Sequence, residues 1–199
     1  MNFDALMQNR RAVHHFLRGQ KVPIETYKQI LEIVRWTPSG YNAQPWKFLL
    51  IQDDQQLQDI QALSFHQKQI TQSGNVVMVF GDTNFMQNEQ QRILSEWSEV
   101  MTDQQLQSLK STLQKERPMT QKEKMTLRAV SMAAMNFLLA AESLGWNTCP
   151  MMGFQQKKVK QYLGVPEHYI CGLMIAMGKA DNAKENKKIH RKNILDIQL

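Results

Sequence analysis

Residues 129–144, AVSMAAMNFLLAAESL, are apolar almost all the way round a helix, and they form the second half of a helical pattern running from Lys122 to Leu144. A surface helix needs cover on one face, whereas a helix apolar on every side needs cover on all of them. The rest of the chain, or a second copy of it, has to wrap around this segment. Ala129, Ala133, Ala134, Ala140 and Ala141 let another backbone come close. That favours a subunit interface, with a central helix inside one monomer as the plain alternative.

The remaining patterns supply candidates for the cover. WKFLLIQ (46–52), VVMVFG (76–81) and YICGLMIAMG (169–178) are short apolar runs rich in β-branched and aromatic residues and bounded by turn formers, the signature of buried strands. GWNTCPMMGF (145–154) gives a shorter strand ended by Pro150, and NILDIQL (193–199) alternates apolar and polar residues like an added one. Helical spacing marks 2–8, 23–36, 54–64 and 155–163, with Pro23 at the start of the second. Residues 84–116 are rich in Gln and Glu, with Ile93, Leu94, Trp97, Leu106, Leu109 and Leu113 at intervals that predict one or two exposed, peripheral helices. The order of elements predicts a mixed α+β domain with helices around a central sheet.

A chain of 199 residues is one sizeable domain, 1–199. The N-terminal stretch MNFDALMQNRRAVHHF has Asp4 and a double Arg where a signal peptide carries an apolar core, and no segment has the uncharged length to span a bilayer. The expectation is a cytoplasmic protein without membrane contact. Cys149 and Cys171 lack CxxC spacing and read as reduced, structural thiols. The net charge of +6 suits an anionic partner. Its basic residues gather at the two ends: Arg10, Arg11, Arg18 and Lys21, then Lys184, Lys187, Lys188, Arg191 and Lys192. One phosphate pocket built from both termini fits this distribution, as does a solvated basic surface.

No GxGxxG, GxxxxGK[ST], GxSxG or HExxH occurs, and the adjacent His14 and His15 point to different sides of any regular element. Metal chemistry is not expected. A chain without an evident nucleophile is a binding module, or it lets a cofactor carry the chemistry. TPSGYNAQPWKFLL (37–50) bears on that choice, because Ser39, Asn42 and Gln44 offer hydroxyl and amide groups suited to a heteroaromatic edge or a polyol. With a guanidinium clamp for phosphate, ring, polyol and phosphate together describe flavin mononucleotide (FMN). The same residues also make ordinary turns.

Several stretches together, in order over nearly the whole chain, resemble the nitroreductase family of FMN-dependent NAD(P)H oxidoreductases. RRAVHHF (10–16) looks like the family's N-terminal phosphate motif, TPSGYNAQPWKFLL like its flavin loop, CPMMGF (149–154) like the segment at the reactive face of the ring, and HRKNI (190–194) like the closing phosphate motif. The resemblance implies that Arg10 and Arg191, with Arg11 beside them, bind the FMN phosphate, and that Ser39, Asn42 and Gln44 contact the ring and ribityl chain. Gln69 matches a polar flavin contact; Pro150, Met151, Met152 and Gly153 would line the isoalloxazine, with a backbone N–H near Met152 or Gly153 aimed at N5. Ala12 stands where a serine is common and His14 where Arg or Lys usually sits. That costs the grip a hydroxyl and a permanent charge.

The implied fold is α+β, with a central mixed, mostly antiparallel sheet flanked by helices, 84–116 as a peripheral helical insertion, and 180–199 as a C-terminal arm whose strand extends onto the partner of a homodimer. The implied activity is reduction of nitroaromatic, quinone or related flat electrophiles by NADH or NADPH in a ping-pong cycle, with the flavin and no side chain as the catalytic group. A same-fold flavin-degrading or dehalogenating enzyme is one alternative. A non-enzymatic basic module for nucleic acid is another, although no aromatic-interleaved basic face favours it.

Overall fold

The computed structural model describes residues 2–184 and 189–198, so Lys187, Lys188 and Leu199 of the tail lie outside the described residues. After α1 (Phe3–Asn9) and α2 (Ile24–Val34), β1 (Trp46–Ile51) leads through α3 (Asp54–Ala62) and α4 (Gln69–Ser73) to β2 (Val76–Asp82). The helices α5 (Phe85–Asn88), α6 (Gln90–Trp97) and α7 (Asp103–Gln114) precede the long α8 (Met119–Ser143); β3 (Asn147–Met151), α9 (Gln156–Tyr162) and β4 (Tyr169–Gly178) complete the domain. The strands form one sheet in the order β1-β2-β4-β3, with every pair antiparallel. The parallel component is an isolated bridge, Ala12 to Thr148, which lays the N-terminal segment beside β3.

Both faces of this sheet are covered, which explains why its strands read as continuous apolar runs. Along β2, Val77 and Val79 join a cluster with α2 and α8, whereas Val76, Met78 and Phe80 join a second cluster with Leu57 and Ile60 of α3, Ile70 of α4 and Val159 of α9. The period of two of a pleated strand thus divides one sequence between two cores. At 25 residues α8 is about 37 Å long. It buries Thr126, Ala129, Val130, Ala133, Ala134, Phe137, Leu138, Ala140 and Ala141, while Leu127 and Met132 remain exposed. One chain therefore covers only part of the helix, and exposed Phe3, Ile24, Ile33 and Trp36 add further apolar surface on α1, α2 and the turn after it.

Two glycines set how closely α8 approaches the sheet. A Cβ on Gly81 would lie 2.6 Å from Val130 Cγ2 and closer still to Thr126 Cγ2, and a Cβ on Gly172 would overlap Val130 Cγ1. Gly172 is also the residue skipped where Val79 pairs with Leu173 and Phe80 with Cys171, so it forms a bulge on β4. Just before β2, Asn75, fully buried, accepts from the Val22 N–H and Gln52 Nε2 and donates to the Gln20, Ser73 and Met177 carbonyls. All five contacts satisfy a polar side chain that burial would otherwise penalise.

Three expectations change. Residues 84–116 form three helices rather than one or two, and they are not merely exposed: Phe85, Met86, Ile93, Leu109 and Leu113 build a third small core around Ala43 of the 37–45 loop. β3 continues past Pro150 to Met151, because β3 is an edge strand where a missing N–H is tolerated. The described part of NILDIQL is a 3₁₀ turn over Ile194–Asp196 rather than a strand, closed by the Asn193 N–H donating to Asp196 Oδ2. No sheet edge of the same chain pairs with those residues, so local capping satisfies the backbone instead.

The close packing of α8 predicts that Gly172→Ala lowers stability by about 1–3 kcal/mol through overpacking. Adding Val130→Ala should recover part of that loss in urea denaturation; a double variant less stable than the sum of the singles would contradict the assignment.

Candidate functional site

Apart from Arg191, the residues singled out from the sequence fall into two groups on opposite edges of the sheet. The first surrounds the end of β3. There the Val13 N–H donates to the Thr148 carbonyl at 2.9 Å, which holds Arg10 to His14 alongside β3 and brings His14 Nδ1 within 4.0 Å of Cys149 Sγ. Ala12 is half-buried against the core, and its methyl offers no hydrogen bond. Arg10 and Arg11 are half-buried and take part in none of the ion pairs among the described residues.

Beyond the strand, the Met151 side chain turns into the core, whereas Met152 is 76% exposed and Gly153 is open to solvent. Gln67 Nε2 donates to the Gly153 carbonyl at 2.7 Å, and Gln69 Nε2 donates to Gln67 Oε1 at 3.2 Å. Gln69 thus joins this group through Gln67. Phe65 comes within 3.9 Å of where a Gly153 side chain would begin, and it is 68% exposed. Phe65 and His66 both have left-handed backbones, at φ 53° and 55°, a conformation that bulky residues adopt only when their surroundings enforce it.

The second group is the loop before β1. Its entrance is fixed by Asn136 of α8, whose Nδ2 donates to Thr37 Oγ1 at 2.7 Å, and Thr37 Oγ1 donates in turn to the Val34 carbonyl. At its exit the Pro45 carbonyl accepts from the Asp82 N–H. Between them Ser39 Oγ accepts from the Gln44 N–H at 2.9 Å, and Gln44 Nε2 donates to Asn42 Oδ1 at 3.1 Å. The three predicted polar residues therefore form one bonded set. Tyr41, Asn42 and Gln44 have φ values of 57°, 54° and 49°, while Gly40, the residue best suited to that region, does not.

What holds this loop was not visible in the sequence. Arg92 of α6 donates from Nη2 to the Asn42 and Ala43 carbonyls at 3.0 and 3.1 Å, and its Nε and Nη1 donate to Glu89 and Glu96 at 2.7 and 2.8 Å. Glu96 also accepts from Asn42 Nδ2, and Trp97 Nε1 donates to the Tyr41 carbonyl. The Arg92 hydrogen bond holds the Glu96 carboxyl below its usual range, against a smaller opposing effect of burial. The available signal was the spacing of Glu89, Arg92 and Glu96, which puts all three on one helical face; the target of that face lies about fifty residues away and no local pattern marks it.

Arg191 is exposed in the segment 189–198 and makes no contact described with either group. Among the described residues no cluster of His, Cys, Asp or Glu is placed to hold a metal ion, and no helix is long and apolar enough to cross a membrane.

Comparison with known proteins gives a consistent result. The profile of the Nitroreductase family matches residues 7–179. Protein DrgA of Synechocystis is 30% identical over 94% of this chain and 87% of its own, and MhqN of Bacillus subtilis, which carries an NAD(P)H nitroreductase name, is 26% identical over 96% and 95%. Among solved structures, the nitroreductase-type protein YdfN of B. subtilis superposes with a TM-score of 0.93 at 25% identity, covering 99% of this chain and 97% of that one. A nitroreductase-type protein from Exiguobacterium sibiricum, solved in complex with FMN, superposes with a TM-score of 0.88 at 25% identity over 100% and 96%. The chain belongs to the nitroreductase family.

Proposed function

We propose that this protein is an FMN-dependent oxidoreductase that uses NADH or NADPH to reduce flat electrophiles such as nitroaromatics and quinones, and that it acts as a homodimer. The observation that carries the reading is the division of the polar and basic groups between the two edges of one sheet, in a fold whose relative from Exiguobacterium sibiricum binds FMN.

The residues present fit such a cofactor. Arg10 and Arg11 offer guanidinium groups outside the ion pairs of the described residues, suited to a phosphate, with Arg191 proposed to join them. Ser39, Asn42 and Gln44 offer amide and hydroxyl groups suited to ring edge and ribityl chain. Gly153 leaves space for a flat ring to lie against the backbone, and Gln67 keeps its carbonyl turned. When bound, FMN would supply the hydride chemistry. The protein's tasks are to hold the ring, to exclude water and to admit donor and acceptor in turn at one face, as a ping-pong cycle requires. Met152 and Phe65, both exposed beside Gly153, present apolar surface to a flat acceptor.

The two groups cannot serve one ligand within one chain. β1 and β3 are separated by two strands, which at about 4.8 Å per step puts roughly 14 Å between the edges, and helices cover both faces of the sheet between them. A ring that touches Asn42 and Gly153 together draws them from two subunits. Exposed Leu127 and Met132 on α8, with Ile33 and Trp36 beside α2, offer apolar surface for that association.

The purified protein should be yellow, and NADH or NADPH should bleach it without oxygen; a colourless protein that takes up no FMN would overturn the reading. Arg191→Ala should lower FMN retention, and unchanged flavin content would remove Arg191 from the phosphate site. Co-expressed Arg10→Ala and Asn42→Ala subunits should form mixed dimers with one intact site. Such dimers should bind FMN far more tightly than either homodimer, whereas a site contained in one chain would give no recovery.

A further inference from the structure

The flavin loop combines two properties that do not belong together without a third party. Its polar side chains need fixed positions to contact a ligand, yet Tyr41, Asn42 and Gln44 all sit in the left-handed region without being glycine. Each such residue is strained relative to a relaxed backbone, so an unsupported loop would relax away from this shape. Thr37 and Pro45 fix only its ends.

We propose that Arg92 is the positioning residue of this loop, and that α6 belongs functionally to the cofactor site; the proposal rests on the reading of 37–45 as a flavin contact. Four hydrogen bonds from one guanidinium carry the argument. Two go to the consecutive carbonyls of Asn42 and Ala43, between two of the three left-handed positions, and two go to carboxylates on its own helix. Glu89 and Glu96 orient the fork, and Glu96 then reaches past it to the Asn42 side chain, so backbone and side chain of one residue are held together. Trp97 adds a third grip on the Tyr41 carbonyl at 3.2 Å.

Beneath these bonds, Ala43 is buried among Phe85, Met86, Ile93, Leu109 and Leu113, so the helical insertion binds the loop through apolar contact as well. Arg92 is not itself a phosphate ligand: its donors are committed to two carbonyls and flanked by two carboxylates that repel an anion. Its ion pairs are only partly buried and add little to overall stability, so its removal should change the loop more than the fold.

Removing this side chain therefore has a signature that general damage lacks. The loop is assigned to the ring and ribityl chain, which FMN shares with riboflavin, whereas Arg10 is assigned to the phosphate, which riboflavin lacks. Apoprotein carrying Arg92→Ala should lose tenfold or more in affinity for both ligands, by the same factor, in fluorescence titrations. Arg10→Ala should lose affinity for FMN alone. Trp97→Phe, which deletes one hydrogen bond and keeps the aromatic packing, should give a smaller loss in the direction of Arg92→Ala, and it decides the matter should that variant fail to fold. Thermal melting of the apoprotein should shift little. Affinities within twofold of wild type, or a loss confined to FMN, would overturn the assignment of Arg92. Wild-type protein that binds neither flavin would instead overturn the cofactor reading on which the assignment rests.

Discussion

The contact between Val130 of α8 and the two glycines beneath it governs the rest of the architecture. Gly81 and Gly172 sit on neighbouring central strands, and with no side chain at either position the helix settles directly onto the β2–β4 pair. From that seat α8 reaches outward in two useful directions. Thr126 meets the Asp82 carbonyl, where β2 ends and the helical insertion begins. Asn136, further along, holds Thr37 at the mouth of the 37–45 loop. A helix held one side-chain radius higher would displace both contacts together. The packing of the core and the placement of the loop are consequences of one close approach.

Much of this was legible in the chain, and the parts that were not share a cause. The strands at 76–82 and 169–178 were readable because burial on both faces makes them apolar without interruption, and α8 because its length and periodicity leave no other interpretation. The contacts of 84–116 were hidden because its polarity is that of a solvated surface, while Arg92 and Trp97 meet carbonyls far away in sequence. Backbone carbonyls are the same in every residue, so composition says nothing about which ones a distant arginine will find. The terminal NILDIQL failed for a related reason: alternation describes a strand's faces, but only a partner makes the strand.

In the loop itself, the sequence named the side chains and hid the conformation. Ser39, Asn42 and Gln44 were identified as a polar set, and they are one, joined by hydrogen bonds. The left-handed residues of the loop are Tyr41, Asn42 and Gln44, which composition does not mark. A glycine there would have reached the same angles without cost and also without memory. Ordinary residues keep those angles only while α6 and Ala43's apolar surroundings enforce them.

Asn75 and the N-terminal segment tie the two ends of the domain together. The stretch that carries Arg10 to His14 is secured late in the sequence, by Thr148 and Lys179 through backbone hydrogen bonds, and the Asn75 side chain that ties residues 20–22 down also reaches Met177, 102 positions ahead. The segment 10–22 is thus held in place by residues far along the chain. Its anchors close long loops, whose entropy has to be offset by the contacts that closure makes. Unpairing β4 would therefore release the anchors of the basic segment 10–22 as well.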